Sequence, residues 1–160
     1  MSERIGFGYD VHRVAAGRPL VLGGVRLESE WGLDGHSDAD VLAHAIGDAL
    51  LGAAALGDLG VHFPPGDPKW KDASSLTLLE HIARLLAERG FRIGNVDATL
   101  LAERPRLGPH REAMRGRLAA AVGLPVESVS VKATTSEGLG FVGRHEGLAA
   151  MAVARIVGEG

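Results

Sequence analysis

The stretch GHSDADVLAHAIGDALLGAAALGDLG, residues 35–60, decides the fold class. Leu42, Ile46, Ala49 and Ala53 recur at the spacing of one helix face, which predicts a helix from an N-cap at Ser37 through Leu56. Asp38 and Asp40 stand at its positive end, where carboxylates are favoured. On the N-terminal side, Arg4–Asp10 and Leu20–Leu27 read as strands, parted by a loop around Ala15–Pro19. On the other side, Ser74 or Ser75 opens a second helix, whose Leu79, Ile82, Leu86 stripe ends at Gly90. Phe91–Leu101 and Ser128–Thr134 read as strands around a third helix, about His110 to Val122. Gly147–Val157 suits a buried strand or a helix, and periodicity does not choose between them. The order β-β-α-α-β-α-β-β predicts one α/β (α+β) domain over residues 1–160, its mixed four- to five-stranded sheet covered by helices.

Composition narrows the function. A net charge of −3 indicates neither a nucleic-acid coat nor a membrane-surface role. There is no cysteine, so disulfides and thiolate metal sites are excluded together. The N-terminal MSERIGFGYD is too polar for a signal peptide, and Ala49–Leu56 is too short to span a bilayer. A cytoplasmic protein is expected.

With no thiolates, a firmly held transition metal must use imidazole and carboxylate. Asp10 and His12 lie two apart on a predicted strand end and can face one side. His36-Ser37-Asp38-Ala39-Asp40 follows, and Asp40, His44 and Asp48 recur at four-residue spacing along one helix face. A carboxylate beside His44 can orient its ring. One Asp and two His leave a fourth tetrahedral position open, as catalytic zinc sites do. Spacing does not decide whether His36 or His44 completes the set.

Phosphate sites are sought where backbone amides are free. Gly23-Gly24 marks a hairpin turn more readily than a phosphate site. Gly35-His36-Ser37, at the expected helix start, is better placed for an anion. Thr134-Thr135-Ser136-Glu137-Gly138 leaves a strand for a glycine-rich loop, with hydroxyls and a carboxylate able to hold Mg²⁺ against a diphosphate. Arg144 suits a phosphate or, more simply, a surface pair with Glu146.

Taken together, GFGYDVHR (6–13), VLGGVRL (21–27), the 35–60 stretch, NVDATLLAERPRL (95–107) and VKATTSEGLGFVGRHEG (131–147) resemble the 2-C-methyl-D-erythritol 2,4-cyclodiphosphate synthase family, in order and spacing. That resemblance implies an intramolecular attack of a 2-phosphate on the β-phosphorus of a cytidine diphosphate, releasing CMP. It implies Zn²⁺ on Asp10, His12 and His44, and Mg²⁺ or Mn²⁺ on Glu137. His36 and Ser37 match phosphate contacts, and Asp58 and Gly60 match the erythritol end. Ala102, Pro105, Arg106 and Leu107, with Ala133, Thr134 and Thr135, match the cytidine pocket and its phosphate contacts. Phe141 and Arg144 match the remaining ligand contacts, Arg144 near the threefold axis of a homotrimer with active sites between subunits and a central cavity for prenyl diphosphates. Two departures stand out: Phe63-Pro64 is followed by Pro65-Gly66-Asp67 instead of Asp-Thr-Asp, and Arg106 replaces a usual lysine. Two other functions share these residues. One is a zinc hydrolase of phosphate esters, which would add water; the other is a non-catalytic binder of isoprenoid diphosphates.

Overall fold

Strand β1 (Ser2–Ala16) runs far beyond Asp10, carrying the Asp10-Val11-His12 triplet inside regular strand in a computed structural model that describes residues 2–159. Leu20–Leu27 is two short strands, β2 (Leu20–Leu22) and β3 (Val25–Leu27), joined at Gly23 and Gly24. Both glycines have positive φ (58° and 76°), the geometry of a tight hairpin. A further strand, β4 (Trp31–Leu33), pairs with the end of β1. Three residues are too few to leave a periodic signal.

The expected helix α1 (Val41–Ala53) begins later and ends earlier than its pattern suggested. Its N-cap is Asp40, not Ser37: Asp40 Oδ1 accepts from Ala43 N at 3.1 Å. The same carboxylate, fully buried, accepts from Gly23 N at 2.9 Å and Gly24 N at 2.7 Å, so both its oxygens are hydrogen-bonded. Burial and the Asp38 carboxylate push Asp40 up to about 6, while the three amides pull the other way. Asp40 therefore turns away from His44 and ties the β2–β3 hairpin to α1.

After the single turn α2 (Leu59–His62) come α3 (Ser75–Glu88), β5 (Phe91–Leu101), α4 (Arg111–Val122), β6 (Val129–Thr134), the short α5 (Gly140–Gly143) and β7 (Gly147–Gly158). The C-terminal segment is a strand. It lies between β1 and β5 in a mixed five-stranded sheet of order β4-β1-β7-β5-β6, with only the β5–β6 pair parallel.

Helices cover one face of the sheet. Gly6 and Gly8 point toward α1, where a Cβ on either would stand 1.9 Å from the carbonyl oxygen of Ala49 or Ala45. Alternation along the strand then sends Asp10 and His12 to the same side, just past the start of α1. The opposite face leaves Ile5 (73% exposed), Phe7 (61%), Tyr9, Val11, Met151 and Val153 uncovered.

Candidate metal centre and active-site cleft

β1 supplies Asp10 and His12, and the first turn of α1 supplies His44. Asp10 Oδ2 lies 2.8 Å from His12 Nε2 and 3.1 Å from His44 Nδ1, and the two nitrogens are 3.0 Å apart. The other ring nitrogens are already engaged. His12 Nδ1 donates to the Asp34 carbonyl at 2.9 Å, and His44 Nε2 donates to Ser75 Oγ at 2.8 Å. Each imidazole therefore turns a lone pair inward, beside a carboxylate oxygen. Three acceptors around one point can hold either a cation or shared protons between them. Their triangle is slightly smaller than the ~3.3 Å edge of a tetrahedral zinc site with bonds near ~2.0 Å. Asp10, His12 and His44 form the one such group of three among the described residues, and His44 rather than His36 completes it.

Protonation reports the same crowding of acceptors. Burial alone would raise the Asp10 carboxyl, but hydrogen bonds and charge from His12 and His44 overcome it and hold it at about 2. Burial likewise opposes a charge on His12, yet the Asp10 contact raises it above its ordinary 6.5. A metal must displace that proton. Zinc affinity is therefore expected to fall with falling pH through the His12 titration, by roughly tenfold per pH unit for each histidine that must lose a proton. Chelator competition across a pH series measures this, and a flat profile would sink histidine ligation.

The cluster opens into a cleft of about 440 Å³ that also takes in His36, Ser37, Asp48, Asp58, Gly60 and Pro65. Arg18 steadies the rim, its guanidinium donating to the carbonyls of Leu33, Gly35 and Ser37. Ser37 Oγ lies 3.1 Å from His44 Nε2, outside the helix. The anion site expected at a Ser37 helix start lacks that start, because Asp40 occupies the N-cap. Asp48 Oδ1 accepts from Leu59 N at 2.8 Å, so it fastens α2, and burial raises its carboxyl. Asp58 caps α2 through Val61 N at 3.2 Å and remains exposed at the cleft edge. His36 Nε2 donates to the Asp67 carbonyl at 2.9 Å, folding the Pro65-Gly66 turn over the cleft.

The other expected residues stand elsewhere. Asp10, Ala150, Leu100 and Ala133 share one row across β1, β7, β5 and β6. Ala133 is thus three strand spacings, about 14 Å, from Asp10. Beside it, Thr134 meets the 102–107 segment, with Ala102 N donating to the Thr134 carbonyl at 3.0 Å. Ala102 and Leu107 are buried, whereas Arg106 and Glu137 are exposed. Phe141 reaches a smaller hollow beside His12, and Arg144 pairs with Glu146 at 2.9 Å. Sequence reasoning missed Glu103, whose Oε1 accepts from Ser136 N at 3.0 Å and Gly138 N at 3.3 Å. It braces the turn in which Glu137 takes a left-handed φ of 53°.

Residues 3–157 match the YgbB family. The chain belongs to the YgbB family. Within it, the chain is 62% identical over 155 residues to the 2-C-methyl-D-erythritol 2,4-cyclodiphosphate synthase of Symbiobacterium thermophilum, covering 97% of this chain and 99% of that one. It is 64% identical to the bifunctional enzyme IspD/IspF of Anaeromyxobacter dehalogenans, covering 95% of this chain but 39% of that longer protein. Among solved YgbB relatives, the bifunctional IspDF of Campylobacter jejuni superimposes with a TM-score of 0.95 at 41% identity, over 99% of this chain and 43% of that one. A 2C-methyl-D-erythritol-2,4-cyclodiphosphate synthase in a CDP-bound form gives 0.88 at 40% identity, over 96% and 100%. No helix among the described residues is long and apolar enough to cross a membrane.

Proposed function

We propose that this chain converts 4-diphosphocytidyl-2-C-methyl-D-erythritol 2-phosphate into 2-C-methyl-D-erythritol 2,4-cyclodiphosphate and CMP, as a phosphorus–oxygen lyase of the non-mevalonate isoprenoid pathway. One observation carries the reading: Asp10, His12 and His44 converge in a cleft of a chain 62% identical to a synthase of that name. An oxygen of the 2-phosphate attacks the β-phosphorus, and the bond from that phosphorus to the oxygen joining it to CMP breaks. Nucleophile and electrophile share one molecule, so the protein's task is to fold the substrate and hold its phosphates together. No serine, cysteine or lysine nucleophile is needed.

Asp10, His12 and His44 hold Zn²⁺ in this reading, and Glu137 holds Mg²⁺ or Mn²⁺ beside the diphosphate. Bound dications supply polarisation of phosphoryl oxygens and offset their charge. His36 and Ser37 contact phosphate at the rim, while Asp58 and Gly60 face the erythritol hydroxyls. Ala102, Pro105, Arg106, Leu107, Ala133, Thr134 and Thr135 take the cytidine and its neighbouring phosphate, and Phe141 contacts the ligand from beside His12. In place of lysine, the Arg106 guanidinium offers a planar fork to phosphate.

The two halves lie about 14 Å apart on one chain, which favours a homotrimer whose neighbouring subunit brings the cytidine half over the metal half. The uncovered stripe of Ile5, Phe7, Tyr9 and Val11 supports that assembly, since a patch of this kind marks an interface. A central cavity with Arg144 as anchor then suits a prenyl diphosphate. We assign residues 1–160 to one synthase domain acting in the cytoplasm.

Phosphorus NMR of the protein with the cytidyl substrate tests the reading. CMP and a cyclic diphosphate are expected, lost on chelation and restored by Zn²⁺ with Mg²⁺. A linear diphosphate would identify a hydrolase, and no turnover with both metals would leave a binder.

A further inference from the structure

Behind His44, on the side away from Asp10, lies a polar chain that the reaction does not use. Ser75 is the first residue of α3 and is 1% exposed. Its hydroxyl donates to Asp38 Oδ1, and its backbone N–H donates to Asp38 Oδ2 at 2.9 Å. The Asp38 carboxylate thus caps α3 from another part of the chain, a task Ser74 leaves undone because its side chain makes no capping bond. With its proton committed to Asp38, Ser75 Oγ has only lone pairs left for His44 Nε2, 2.8 Å away. Ser37 Oγ is the more distant partner of that nitrogen, at 3.1 Å.

We infer that Asp38 and Ser75 are positioning residues which, by fixing the proton on Nε2, keep His44 Nδ1 bare and aimed at the metal point. The inference rests on the metal reading of Asp10, His12 and His44. Three consequences follow from the geometry. A charged acceptor behind a hydroxyl strengthens the His44 Nε2–H bond and makes the imidazole a better donor to a cation. Burial keeps water from replacing the hydroxyl. The arrangement also links the start of α3 to the metal centre, so docking of α3 and ligand geometry are set by one carboxylate. His12 is held differently, by the Asp34 carbonyl, with Gly35 beside its ring: a Cβ there would stand 3.1 Å from His12 Nδ1.

The test measures Zn²⁺ affinity by chelator competition in the native protein, Ser75→Ala and Asp38→Asn, with thermal melting to verify folding. Ser75→Ala is expected to weaken zinc about 10- to 100-fold, and Asp38→Asn to weaken it less. In zinc-loaded native protein the His44 Nε2 proton should give a slowly exchanging downfield NMR resonance, which Ser75→Ala removes. Zinc affinity and resonance both unchanged in folded Ser75→Ala would overturn the inference and leave the metal reading standing. A native protein with no zinc affinity would overturn both. Should Ser75→Ala fail to fold, Asp38→Asn decides on the same two readouts.

Discussion

Asp10→Ala is expected to lower kcat by about 10³-fold or more, equivalent to about 4 kcal/mol of transition-state stabilisation. The size follows from what remains. Asp10 contributes the one negative charge among three ligand atoms, and without it two neutral imidazoles face a dication. The carboxylate is held at about 2, so it is fully ionised at neutral pH, and its loss removes a whole charge. The backbone of Asp10 still pairs with Ala150 in mid-sheet, so the variant should melt close to the native protein. Zinc content, turnover and melting measured together separate the roles: lost zinc and lost turnover in a folded protein support the assignment. Turnover within tenfold of native would remove Asp10 from the metal site.

Much of this site is legible in the sequence because its central pieces are local. Asp10 and His12 are two apart on a strand, so alternation alone places them on one face. His44 sits in a helix whose apolar spacing is plain. What stayed hidden depends on partners remote in the chain. The rule that favours Ser, Asp or Asn at a helix start is satisfied by Ser37, Asp38 and Asp40 alike. The choice falls to Asp40 because Gly23 and Gly24, seventeen and sixteen residues away, donate to it. Asp38 acts at Ser75, 37 positions on, and Glu103 acts at Ser136 and Gly138, 33 and 35 positions on. The β-branched and small residues of 147–157 fit a buried strand or helix equally well; pairing with both β1 and β5 decides it. The cytidine-side motifs, by contrast, are legible only through family resemblance, since exposed threonines and a glycine-rich loop suit many surface turns.

Gly8→Ala, like Gly6→Ala, should be among the most damaging single methyls in the chain's interior. The added carbon would stand 1.9 Å from the Ala45 carbonyl oxygen and 2.8 Å from Ala49 N, and both are main-chain atoms that cannot rotate aside. Only separation of α1 from β1 by more than about 1 Å relieves the clash, and that loosens a helix most of whose residues are buried. A loss of at least about 3 kcal/mol is expected, a fall in Tm of roughly 6–12 °C for a chain of this size. His44 precedes Ala45, so the same displacement carries its ring away from Asp10 and His12. Zinc affinity should therefore drop even at temperatures where the variant stays folded. Gly116→Ala supplies the opposite sign. Gly116 lies within α4 with no atom within 4 Å of an added Cβ, so alanine there should raise stability by up to ~1 kcal/mol through helix propensity alone. If the two variants melted alike, close packing of α1 on β1 would not be what holds the metal ligands together. The expected divergence would tie Gly8 to chemistry two residues further along the same strand.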